Sequence, residues 1–521
     1  MTSLTLSVVG DLVELAARRA PRTTALKLRD GAGLTYAELQ EQTNRLANAL
    51  LGSGLEAGDR VGAWMEDRVQ YPVVYVALAK AGLVVVPINT RYRAAEAAHC
   101  LKDSGARGLI FTDGVTAIVE ELTDMLEGML LVSNDGSGPV GTRRLDDLLL
   151  AGADTMPPRP DPASPVVLAY TSGTTGNPKG AILTHRSVLA ISRMNTISYR
   201  LPPYSVGAIT GTLSFPAMMP AQVLSHFYVS GTAILMGAWD PERLVDTIER
   251  ERATFTYLAT PMMRDFATYA ATVPERWASL ISVLHSSALA TPEQREELCD
   301  VIGGRYVEGW GMTENSGGLM TATTPTDLTD PPPGVDFYST AGRPAIETVI
   351  EVLDPAGRPL PHDGATLGEL VYQSAAAMSG YWNQPEATEA TLRGGWLHSG
   401  DLGMIDEHGY VYVTERRTDL IVSGGMNVYP SEVERVIMEI PGVRECIVVG
   451  SPHERWGQTP VAVIIGPAQD VTEELVIAHC RDGLASYKKP TRVVFVDDVP
   501  RTPSLKVKRA ELREQIAALA D

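Results

Sequence analysis

The stretch VVLAYTSGTTGNPKGAILTHRSV, residues 166–188, decides the fold class of this chain. Its first residues, Val166–Tyr170, have the apolar composition of a buried strand. The turn that follows is rich in glycine and hydroxyl side chains and contains Lys179. Glycines allow successive backbone N–H groups to point at one anion, and hydroxyls and an ammonium add donors. The stretch therefore predicts a phosphate-binding loop after a buried strand.

The loop differs from the P-loop of nucleoside triphosphatases. A P-loop has a Gly-Lys pair followed by serine or threonine, whereas Asn177 and Pro178 separate Gly176 from Lys179 here. A flexible surface loop is the alternative interpretation, but so many glycines and hydroxyls directly after a buried strand disfavour it. The residues that we expect to contact nucleotide phosphates are Thr171, Ser172, Gly173, Thr174, Thr175, Gly176 and Lys179.

Helical periodicity and short β-rich runs alternate on both sides of this loop. The segment LTYAELQEQTNRLANALLGSG, residues 34–54, begins with a threonine cap and closes at Gly54, as an amphipathic helix should. The runs VVVPI, GLIFT, MLLVS, TAILM and SVLHSS have the composition of buried strands between helices. This alternation predicts an α/β protein with mostly parallel sheets.

The character of the sequence changes near residue 335, where short strands are separated by turns such as DPAGRP and DEHGY. From Asp419 onward, strands and helices alternate in a unit of about 100 residues. The 521 residues are too many for one ordinary core. We therefore predict a large N-terminal domain of mixed α/β sheets, residues 1–417, and a small α+β C-terminal domain, residues 418–521.

Charge and cysteine content exclude several classes of protein. A net charge of −19 argues against a nucleic-acid or anionic-membrane partner. Cys100, Cys299, Cys446 and Cys480 form no CxxC pair, which favours buried thiols over disulfides or a metal site. The most apolar stretch, YPVVYVALAKAGLVVVPIN, is interrupted by Lys80 and predicts a buried helix and strand. We expect no signal peptide, no membrane span and a cytoplasmic location.

Five motifs together resemble those of the adenylate-forming superfamily, which contains acyl-CoA synthetases, luciferases and peptide-synthetase adenylation domains. The loop YTSGTTGNPKGA is the first, and GWGMTEN (309–315) is similar to the aromatic-Gly-x-Thr-Glu motif. WLHSGDLG (396–403) resembles the Trp-x-x-x-Gly-Asp motif, and ERRTDLIVSGGMNVYPSEVE (415–434) the interdomain linker. PRTPSLKVKRAEL (500–512) resembles the segment that carries the family lysine. The resemblance covers nearly the whole chain.

The resemblance implies an AMP-forming acyl-CoA synthetase with ATP (or acyl-AMP), Mg²⁺ and coenzyme A as cofactors. A carboxylate would attack the α-phosphorus of ATP to give acyl-AMP and pyrophosphate. The small domain would then rotate, and the thiol of coenzyme A would meet the acyl-AMP carbonyl. Positioning and charge stabilisation would supply most of the catalysis. A homodimer is expected from the family alone.

In GWGMTEN the resemblance assigns Trp310 and Gly311 to the adenine, Thr313 to the α-phosphate and Glu314 to Mg²⁺. A lone glutamate suffices, because magnesium takes one or two carboxylates together with phosphate oxygens. The alternative for this motif is a core tryptophan followed by a helix-capping threonine.

Other roles fall on the second half of the chain. Asp401 would accept the ribose hydroxyls, with Arg416 as a second contact. Gly424 and Gly425 would allow close backbone approach around a pantetheine arm, or form a simple β-turn. Lys506 would bridge carboxylate and phosphate oxygens in the first step and swing out for the second.

Four parts of the chain depart from the family pattern, and one of them is SFPAMMPAQ (214–222), where an aromatic residue or histidine is usual. Leu505 stands where glycine usually precedes the lysine, and a leucine with positive φ costs roughly 1–2 kcal/mol. Thr418 replaces the usual Asp or Lys of the hinge. The wall of the nucleotide and acyl site, often Gly-Gly-Ala-Pro, is Ser286–Leu289 here, with Ser287 and Ala288 as its contact residues.

The acyl pocket is expected at SFPAMMPAQ (214–222), with Ala217, Met218 and Met219 as its lining. Methionines make adaptable apolar linings, so we predict a hydrophobic carboxylic acid as substrate. An amino-acid substrate would require an acidic partner for its ammonium, and no clear candidate is present.

Alternatives to a complete ligase remain open. The departures at Leu505 and Thr418 suggest an enzyme that binds an acyl-AMP made by a separate adenylating partner and only forms the thioester. A separate carrier protein could replace coenzyme A as acceptor. A non-enzymatic nucleotide-binding protein would be expected to lack Lys179, Glu314 or Asp401, and all three are present.

Overall fold

The structure is a computed structural model that describes residues 6–31, 33–171, 178–286, 290–416, 419, 421–423, 426–428, 430–453, 456–466, 470–484, 488–502 and 506–518. The chain divides into two compact units. The first unit contains Met1–Ile350 and Tyr372–Leu397, and the second contains Glu351–Val371 and His398–Asp521. The predicted boundary between residues 417 and 418 lies outside the described residues and stays a prediction.

The helices are numbered in chain order. They are α1 (Gly10–Arg19), α2 (Tyr36–Leu51), α3 (Gln70–Lys80), α4 (Ala94–Ser104), α5 (Thr116–Glu121), α6 (Leu145–Ala151), α7 (His185–Ser198), α8 (Leu224–Tyr228), α9 (Pro241–Glu251), α10 (Thr260–Ala270), α11 (Pro292–Ile302), α12 (Pro325–Thr329), α13 (Pro385–Thr391), α14 (Pro430–Met438), α15 (Glu473–Gly483) and α16 (Arg509–Ala518). A π-helical turn, Met219–Val223, precedes α8.

The strands are numbered in the same way. They are β1 (Thr24–Leu28), β2 (Gly33–Thr35), β3 (Arg60–Trp64), β4 (Val84–Pro87), β5 (Gly108–Phe111), β6 (Leu130–Ser133), β7 (Arg143–Arg144), β8 (Pro165–Thr171), β9 (Lys179–Thr184), β10 (Val206–Ile209), β11 (Thr232–Leu235), β12 (Phe255–Leu258), β13 (Ser282–His285), β14 (Tyr306–Glu308), β15 (Thr321–Ala322), β16 (Arg343–Pro344), β17 (Thr348–Leu353), β18 (Gly368–Ser374), β19 (Leu392–Arg393), β20 (Trp396–Ile405), β21 (Val411–Arg416), β22 (Ile421–Ser423), β23 (Met426–Val428), β24 (Glu445–His453), β25 (Gly457–Ile465) and β26 (Arg492–Val496).

Two seven-stranded sheets form the frame of the first unit. One has the order β14-β13-β12-β10-β11-β1-β2, and the other has the order β7-β6-β5-β3-β4-β8-β9. In each sheet the strands are parallel except at one edge, where β2 and β9 run antiparallel to their neighbours. Helices separate the strands, as parallel pairing requires. The predicted α/β class with mostly parallel sheets is confirmed for this unit.

Four predicted site segments begin where parallel strands end. The phosphate loop follows β8, and the acyl segment follows β10. Ser286–Leu289 follows β13, and GWGMTEN follows β14. Because β10, β12, β13 and β14 are parallel, their carboxyl ends meet at one edge of their sheet. That edge is where ligands bind in open α/β sheets.

The second unit contains a mixed five-stranded sheet with the order β23-β22-β25-β24, and β26 pairs with β25. All its pairs are antiparallel except β25 with β26. The alternation of strands and helices predicted from Asp419 onward is confirmed by the order β22, β23, α14, β24, β25, α15 and β26. Thr472 caps α15 by accepting a hydrogen bond from the N–H of Leu475. A further five-stranded sheet has the order β17-β18-β20-β19, with β21 on β20.

Local sequence signals account for the ends of α2. The hydroxyl of Thr35 accepts a hydrogen bond from the N–H of Glu38, whose carboxylate accepts from the N–H of Thr35. This capping box confirms the predicted threonine cap. The helix ends at Leu51, three residues before Gly54, and Gly54 has φ +93° in the turn that follows. The glycine therefore serves the chain reversal and not the last helical turn.

The buried interior agrees with the composition. All four cysteines are free and buried, which confirms the prediction of buried thiols. The apolar stretch around Lys80 forms α3 and β4, both buried as predicted. Among the residues that the structure describes, no helix combines the length and apolar composition needed to cross a membrane.

Lys80 is a buried amine at the end of α3, and burial lowers its pKa from 10.5 to about 7. Its ammonium donates to Gln40 Oε1 and Thr43 Oγ1 at 2.7 Å each and to Asn44 Oδ1 at 2.8 Å. All three acceptors belong to α2, so this one ammonium fixes the register between α2 and α3. A buried ammonium without acceptors would be strongly unfavourable.

We predict that Lys80→Met lowers the free energy of unfolding by about 1–3 kcal/mol, because two buried acceptors and the half-buried Gln40 lose their donor. Denaturant unfolding followed by circular dichroism measures this change. The matched control is Lys102→Met on α4, an exposed lysine, where the change should stay within about 0.5 kcal/mol. Equal stability of the two variants would show that the ammonium does not hold α2 against α3.

Candidate nucleotide and acyl site

The phosphate loop is held between the antiparallel strands β8 and β9. Thr171 lies opposite Lys179 in the register, and Tyr170 lies opposite Gly180. The two ends of the loop are therefore fixed at neighbouring positions, and the predicted strand before the loop is confirmed. The contact residues Ser172, Gly173, Thr174, Thr175 and Gly176 lie outside the described residues.

Helix α4 supports both ends of this loop. Tyr170 donates its hydroxyl hydrogen to Asp103 Oδ2 at 2.7 Å, and burial raises the pKa of this tyrosine far above its usual value. His99 Nε2 lies 3.0 Å from the carbonyl oxygen of Pro178, so this nitrogen is the donor. The rings of His99 and Tyr170 meet edge to face at 6.0 Å. Sequence patterns did not identify these supporting side chains, because they lie more than sixty positions from the loop or inside the strand.

The backbone of GWGMTEN is fixed by its neighbours. The N–H of Trp310 donates to Thr321 Oγ1 at 3.0 Å, and its ring packs edge-on against Tyr372 at 6.4 Å. A Cβ atom on Gly311 would lie 2.5 Å from the carbonyl oxygen of Gly318, so this position requires glycine. The adenine contact predicted for Trp310 and Gly311 stays a prediction, and only 8% of Trp310 is exposed.

Glu314 is a buried carboxylate in the short 3₁₀ turn Thr313–Asn315. Its Oε1 accepts a hydrogen bond of 2.8 Å from the hydroxyl of Tyr381. Within the described part of the chain, no lysine, arginine or histidine forms an ion pair with it. A buried carboxylate of this kind calls for a cation, and Glu314 therefore fits the magnesium role.

Tyr381 also contacts the lysine of the phosphate loop. The ammonium of Lys179 lies 5.3 Å from the centroid of the Tyr381 ring, in cation–π geometry. One tyrosine thus touches the side chains of two predicted site residues that are far apart in the sequence. Sequence analysis missed Tyr381, and the only available signal was the Gly-Tyr-Trp run between two loops.

The acyl segment lies against the GWGMTEN motif. Gly317 has φ +78°, and a Cβ atom there would lie 2.5 Å from the backbone nitrogen of Ala217. Met218 and Met219 are buried, and Ala217 is half-buried. The segment continues into the π-helical turn, a feature common at functional sites. A narrow apolar gap beside it, with no room for a water molecule, is lined by Tyr75, Pro87, Val167, Leu213, Ser214, Phe215, Pro216, Met219 and Pro220.

A buried network lies beneath two of the site loops. His285 Nδ1 lies 2.7 Å from Glu308 Oε2, and the hydroxyl of Tyr306 donates to the same oxygen. Arg295 lies 3.4 Å from Glu308 Oε1. Burial opposes ionisation of Glu308, but Arg295 and His285 outweigh it and the pKa of this carboxyl is lowered. Because His285 and Glu308 end β13 and β14, this network fixes the start of both following loops.

The remaining predicted residues lie in the second unit or outside the description. Asp401 is buried, and its backbone lies opposite that of Arg416 in the register of β20 and β21. The N–H of Lys506 donates to Thr502 Oγ1 at 3.1 Å, and its carbonyl accepts from the N–H of Thr502 at 2.7 Å. These bonds hold the backbone of Lys506 against Thr502. The predicted residues that lie outside the described ranges are Ser287, Ala288, Thr418, Gly424, Gly425 and Leu505.

A metal site made of protein side chains alone is absent from the described residues. In the described ranges, no group of three or more histidine, cysteine, aspartate or glutamate side chains could hold a metal ion. A cation at Glu314 would therefore depend on oxygen ligands from a bound nucleotide and from water.

Asp67 is a titratable group beside the acyl segment. It follows β3, and its Oδ1 accepts a hydrogen bond of 2.7 Å from the N–H of Leu213. Burial raises the pKa of Asp67 to about 6, although the hydrogen bond from Leu213 opposes the shift. The carboxylate is therefore a pH-sensitive support of the acyl segment.

Two family models match the chain. The model described as AMP-binding enzyme matches residues 13–382, and the model described as AMP-binding enzyme C-terminal domain matches residues 432–506. The first match spans more than half of the chain. The order of the two agrees with the predicted large N-terminal and small C-terminal domains, which confirms the fold class.

Relatives cover nearly the full chain. It is 34% identical over 506 residues to the fatty acid–[acyl-carrier-protein] ligase ScoC of Streptomyces coeruleorubidus, covering 96% of this chain and 94% of that protein. It is 34% identical over 501 residues to a feruloyl-CoA synthase of Amycolatopsis sp, with 96% and 97% covered. The ATP-bound structure of MatB from Rhodopseudomonas palustris matches with a TM-score of 0.86 at 28% identity, covering 98% of this chain and 100% of that one.

We predict that Asp67→Asn changes the pH dependence of stability. The folded pKa of about 6 lies above the ordinary value of 3.8, so the folded state holds a proton that the unfolded state has lost between these values. The stability of the wild type should therefore fall as the pH rises from about 4 to about 6. Relative to the wild type, the variant should gain about 1–3 kcal/mol between pH 4.5 and pH 7.5.

Denaturant unfolding at several pH values measures this difference. Asp135→Asn is the control, because hydrogen bonds from Ser137 lower the pKa of that exposed carboxyl below 3.8. Its stability difference from the wild type should stay flat above pH 4.5. A flat difference for Asp67→Asn as well would contradict the raised pKa.

Proposed function

Because the chain belongs to the AMP-binding enzyme family, we propose that it activates a hydrophobic carboxylic acid as an acyl-adenylate and transfers the acyl group to coenzyme A. The family and the named relatives make it an AMP-forming acid–thiol ligase of the acyl-CoA synthetase type. Binding of ATP or AMP follows from the same family membership. The roles of individual residues, the acid and the acceptor belong to the proposal.

One observation carries the proposal for this chain. Glu314 and Lys179, from two motifs far apart in the sequence, both contact the Tyr381 side chain, Glu314 at its hydroxyl and Lys179 over its ring. A carboxylate without a cation and an ammonium without a carboxylate partner in the described residues suit a metal-bound triphosphate. A core ion pair would have joined the two charges directly.

In the first half-reaction a carboxylate oxygen of the acid attacks the α-phosphorus of ATP. The bond from that phosphorus to the pyrophosphate oxygen breaks, and acyl-AMP remains. Lys179 and the phosphate loop bind the β- and γ-phosphates, and Thr313 donates to an oxygen on the α-phosphate. Asp401 and Arg416 hold the ribose, and Lys506 stabilises the charge that develops between carboxylate and phosphate.

Mg²⁺, when bound, neutralises phosphate charge and polarises the phosphorus–oxygen bonds. Glu314 would hold the ion through its buried carboxylate. Trp310 and Gly311, with Ser287 and Ala288, form the adenine end of the site.

In the second half-reaction the sulfur of coenzyme A attacks the acyl-AMP carbonyl. The carbon–oxygen bond to AMP breaks, and the thiol proton passes to solvent. Thr418 is the hinge of the proposed rotation, and Gly424 and Gly425 border the pantetheine channel. Lys506 has moved away in this state.

The apolar acyl segment supports a hydrophobic acid. Met218 and Met219 are buried, and the gap beside Met219 has an almost wholly apolar lining. No carboxylate of the described residues lines that gap, so the ammonium of an amino acid would find no partner there. One relative is named for fatty acids and another for ferulate, and both are acids with large apolar parts.

Two alternatives keep specific support. Leu505 and Thr418 favour an enzyme that receives acyl-AMP from a separate adenylating partner and forms only the thioester. The relative named for an acyl-carrier protein favours a carrier protein as acceptor in place of coenzyme A. The homodimer expected from the family stays a prediction, which light scattering tests.

The deciding experiment supplies hydrophobic acids with ATP and Mg²⁺ and measures acid-dependent exchange of labelled pyrophosphate into ATP. In parallel, synthetic acyl-AMP is offered with coenzyme A or with a phosphopantetheinylated carrier protein. Exchange together with thioester formation on coenzyme A is the expected result. Thioester formation without exchange would support the thioester-only enzyme, and Leu505→Gly should then restore exchange. Absence of both activities with all acids would contradict the proposal.

We predict that Lys506→Ala reduces pyrophosphate exchange by about 100- to 1000-fold, because it removes a charge that stabilises the transition state. Thioester formation from supplied acyl-AMP should change by less than about threefold, since the lysine is absent from that step. Lys508→Ala is the control, because its ammonium pairs with Glu511 at 3.3 Å. Equal loss of both half-reactions in Lys506→Ala would assign the lysine a structural role.

A further inference from the structure

Tyr381 lies in a segment that runs beside β9. The N–H of Ile182 donates to the carbonyl of Gly380 at 2.9 Å, and the N–H of Trp382 donates to the carbonyl of Gly180 at 2.8 Å. Tyr381 itself is the bridge partner of Ala181. The backbone of Tyr381 is therefore fixed beside Ala181, which follows Lys179 by two positions on β9. Tyr381 and Lys179 are nevertheless about two hundred positions apart in the sequence.

The same segment is tied to Glu314. The N–H of Met378 donates to the carbonyl oxygen of Glu314 at 2.7 Å, and the N–H of Tyr381 donates to Thr388 Oγ1 at 2.9 Å. These bonds fix the backbone of Tyr381 relative to both the GWGMTEN motif and β9.

The hydroxyl of Tyr381 orients the Glu314 carboxylate. It occupies Oε1 at 2.8 Å, and no described residue donates a hydrogen bond to Oε2. A carboxylate with one oxygen held by a donor presents the other oxygen in a fixed direction. Outer partners of this kind commonly orient metal-binding groups and strengthen metal affinity.

Lys179 lies over the face of the Tyr381 ring, whereas Glu314 meets the hydroxyl of the same side chain. The ammonium lies 5.3 Å from the ring centroid, and no described carboxylate forms an ion pair with Lys179. Direct pairing of the lysine with Glu314 would neutralise both groups. Because each charged group contacts a different part of Tyr381 and not the other charge, both charges stay available to a ligand.

We propose that Tyr381 is a positioning residue that orients Glu314 towards the metal of a metal–ATP complex and holds Lys179 beside the phosphates. This inference rests on the proposed function. It adds a residue that contacts neither the metal nor the phosphates and acts through two residues that do. Its hydroxyl acts on the metal through Glu314, and its ring holds the ammonium of Lys179. The two effects can therefore be separated by substitution.

The first test measures nucleotide binding without turnover. Binding of Mn²⁺·ATP and of ATP in EDTA is measured by isothermal titration, with Mn²⁺ resonance as a second readout. Tyr381→Phe removes the hydroxyl and keeps the ring. We expect the affinity for Mn²⁺·ATP to fall roughly 10- to 100-fold, as for other outer partners of metal ligands. The affinity for metal-free ATP should change by less than about threefold.

Tyr71→Phe is the matched control, because the Tyr71 hydroxyl is buried without a hydrogen-bond partner. It should leave both affinities unchanged. Equal Mn²⁺·ATP affinities of wild type and Tyr381→Phe would overturn the proposal. Equal losses with and without metal would overturn it as well, because a merely structural role predicts that pattern.

A double-mutant cycle shows whether the hydroxyl acts through Glu314. Glu314→Gln keeps an acceptor for the hydroxyl and removes the charge. We expect the double variant Tyr381→Phe/Glu314→Gln to bind Mn²⁺·ATP no more weakly than Glu314→Gln alone. Additive losses would show that Tyr381 acts elsewhere and would overturn the assignment.

Tyr381→Leu tests the ring. Relative to Tyr381→Phe, Tyr381→Leu should weaken the binding of metal-free ATP by a further factor of roughly 2 to 5, the size of an exposed cation–π contact. Equal metal-free affinities of the two variants would remove the lysine from the proposal. If the wild type itself binds neither form of ATP, the proposed function fails together with this inference. If the wild type binds both forms of ATP and Tyr381→Phe binds them with the same affinities, the inference alone fails.

Discussion

The antiparallel pairing of β8 with β9 is the constraint on which the first unit depends. All other neighbouring strands of that sheet are parallel. Two parallel strands that follow each other in the chain require a long crossover connection. Pairing β9 directly on β8 instead returns the chain at once, with only residues 172–178 between the strands. The loop is thereby fixed at both ends, and β9 offers its free edge to the segment around Tyr381. The phosphate loop and the tyrosine contact thus have one origin.

Close backbone approach joins the rest of the site. Gly311 and Gly317 lie where any side chain would collide with backbone, in one case with residue 318 and in the other with residues 216–217. These contacts bring GWGMTEN against the acyl segment without side-chain adjustment. The buried network of His285 and Glu308 then fixes where the loops after β13 and β14 begin. The site loops are therefore anchored at the ends of rigid strands, and rigid elements hold reactive groups more accurately than loops alone do.

Charge placement explains how a protein of net charge −19 suits an anionic ligand. The excess of acid belongs to the chain as a whole, whereas Lys179 lies on an aromatic ring with no described carboxylate paired to it. Glu314 is buried and has a tyrosine hydroxyl in place of a cation. A buried charge without an opposite charge beside it costs free energy in a folded protein, unless a bound ligand supplies that opposite charge. The site is in this sense arranged for a ligand that carries both phosphate and metal.

The sequence by itself determined the fold class, most of the strands and helices, and the motifs of the site. Those features depend on local composition, capping and spacing, as the Thr35 cap and the strand before the phosphate loop illustrate. The helix end at Leu51, rather than Gly54, shows the limit of local signals. Only the tertiary structure decided that Tyr381 joins Lys179 to Glu314, that His99 supports Pro178 and that Gly317 meets Ala217. These pairs are brought together by sheet pairing and close packing, and no local pattern encodes which distant residues will become neighbours.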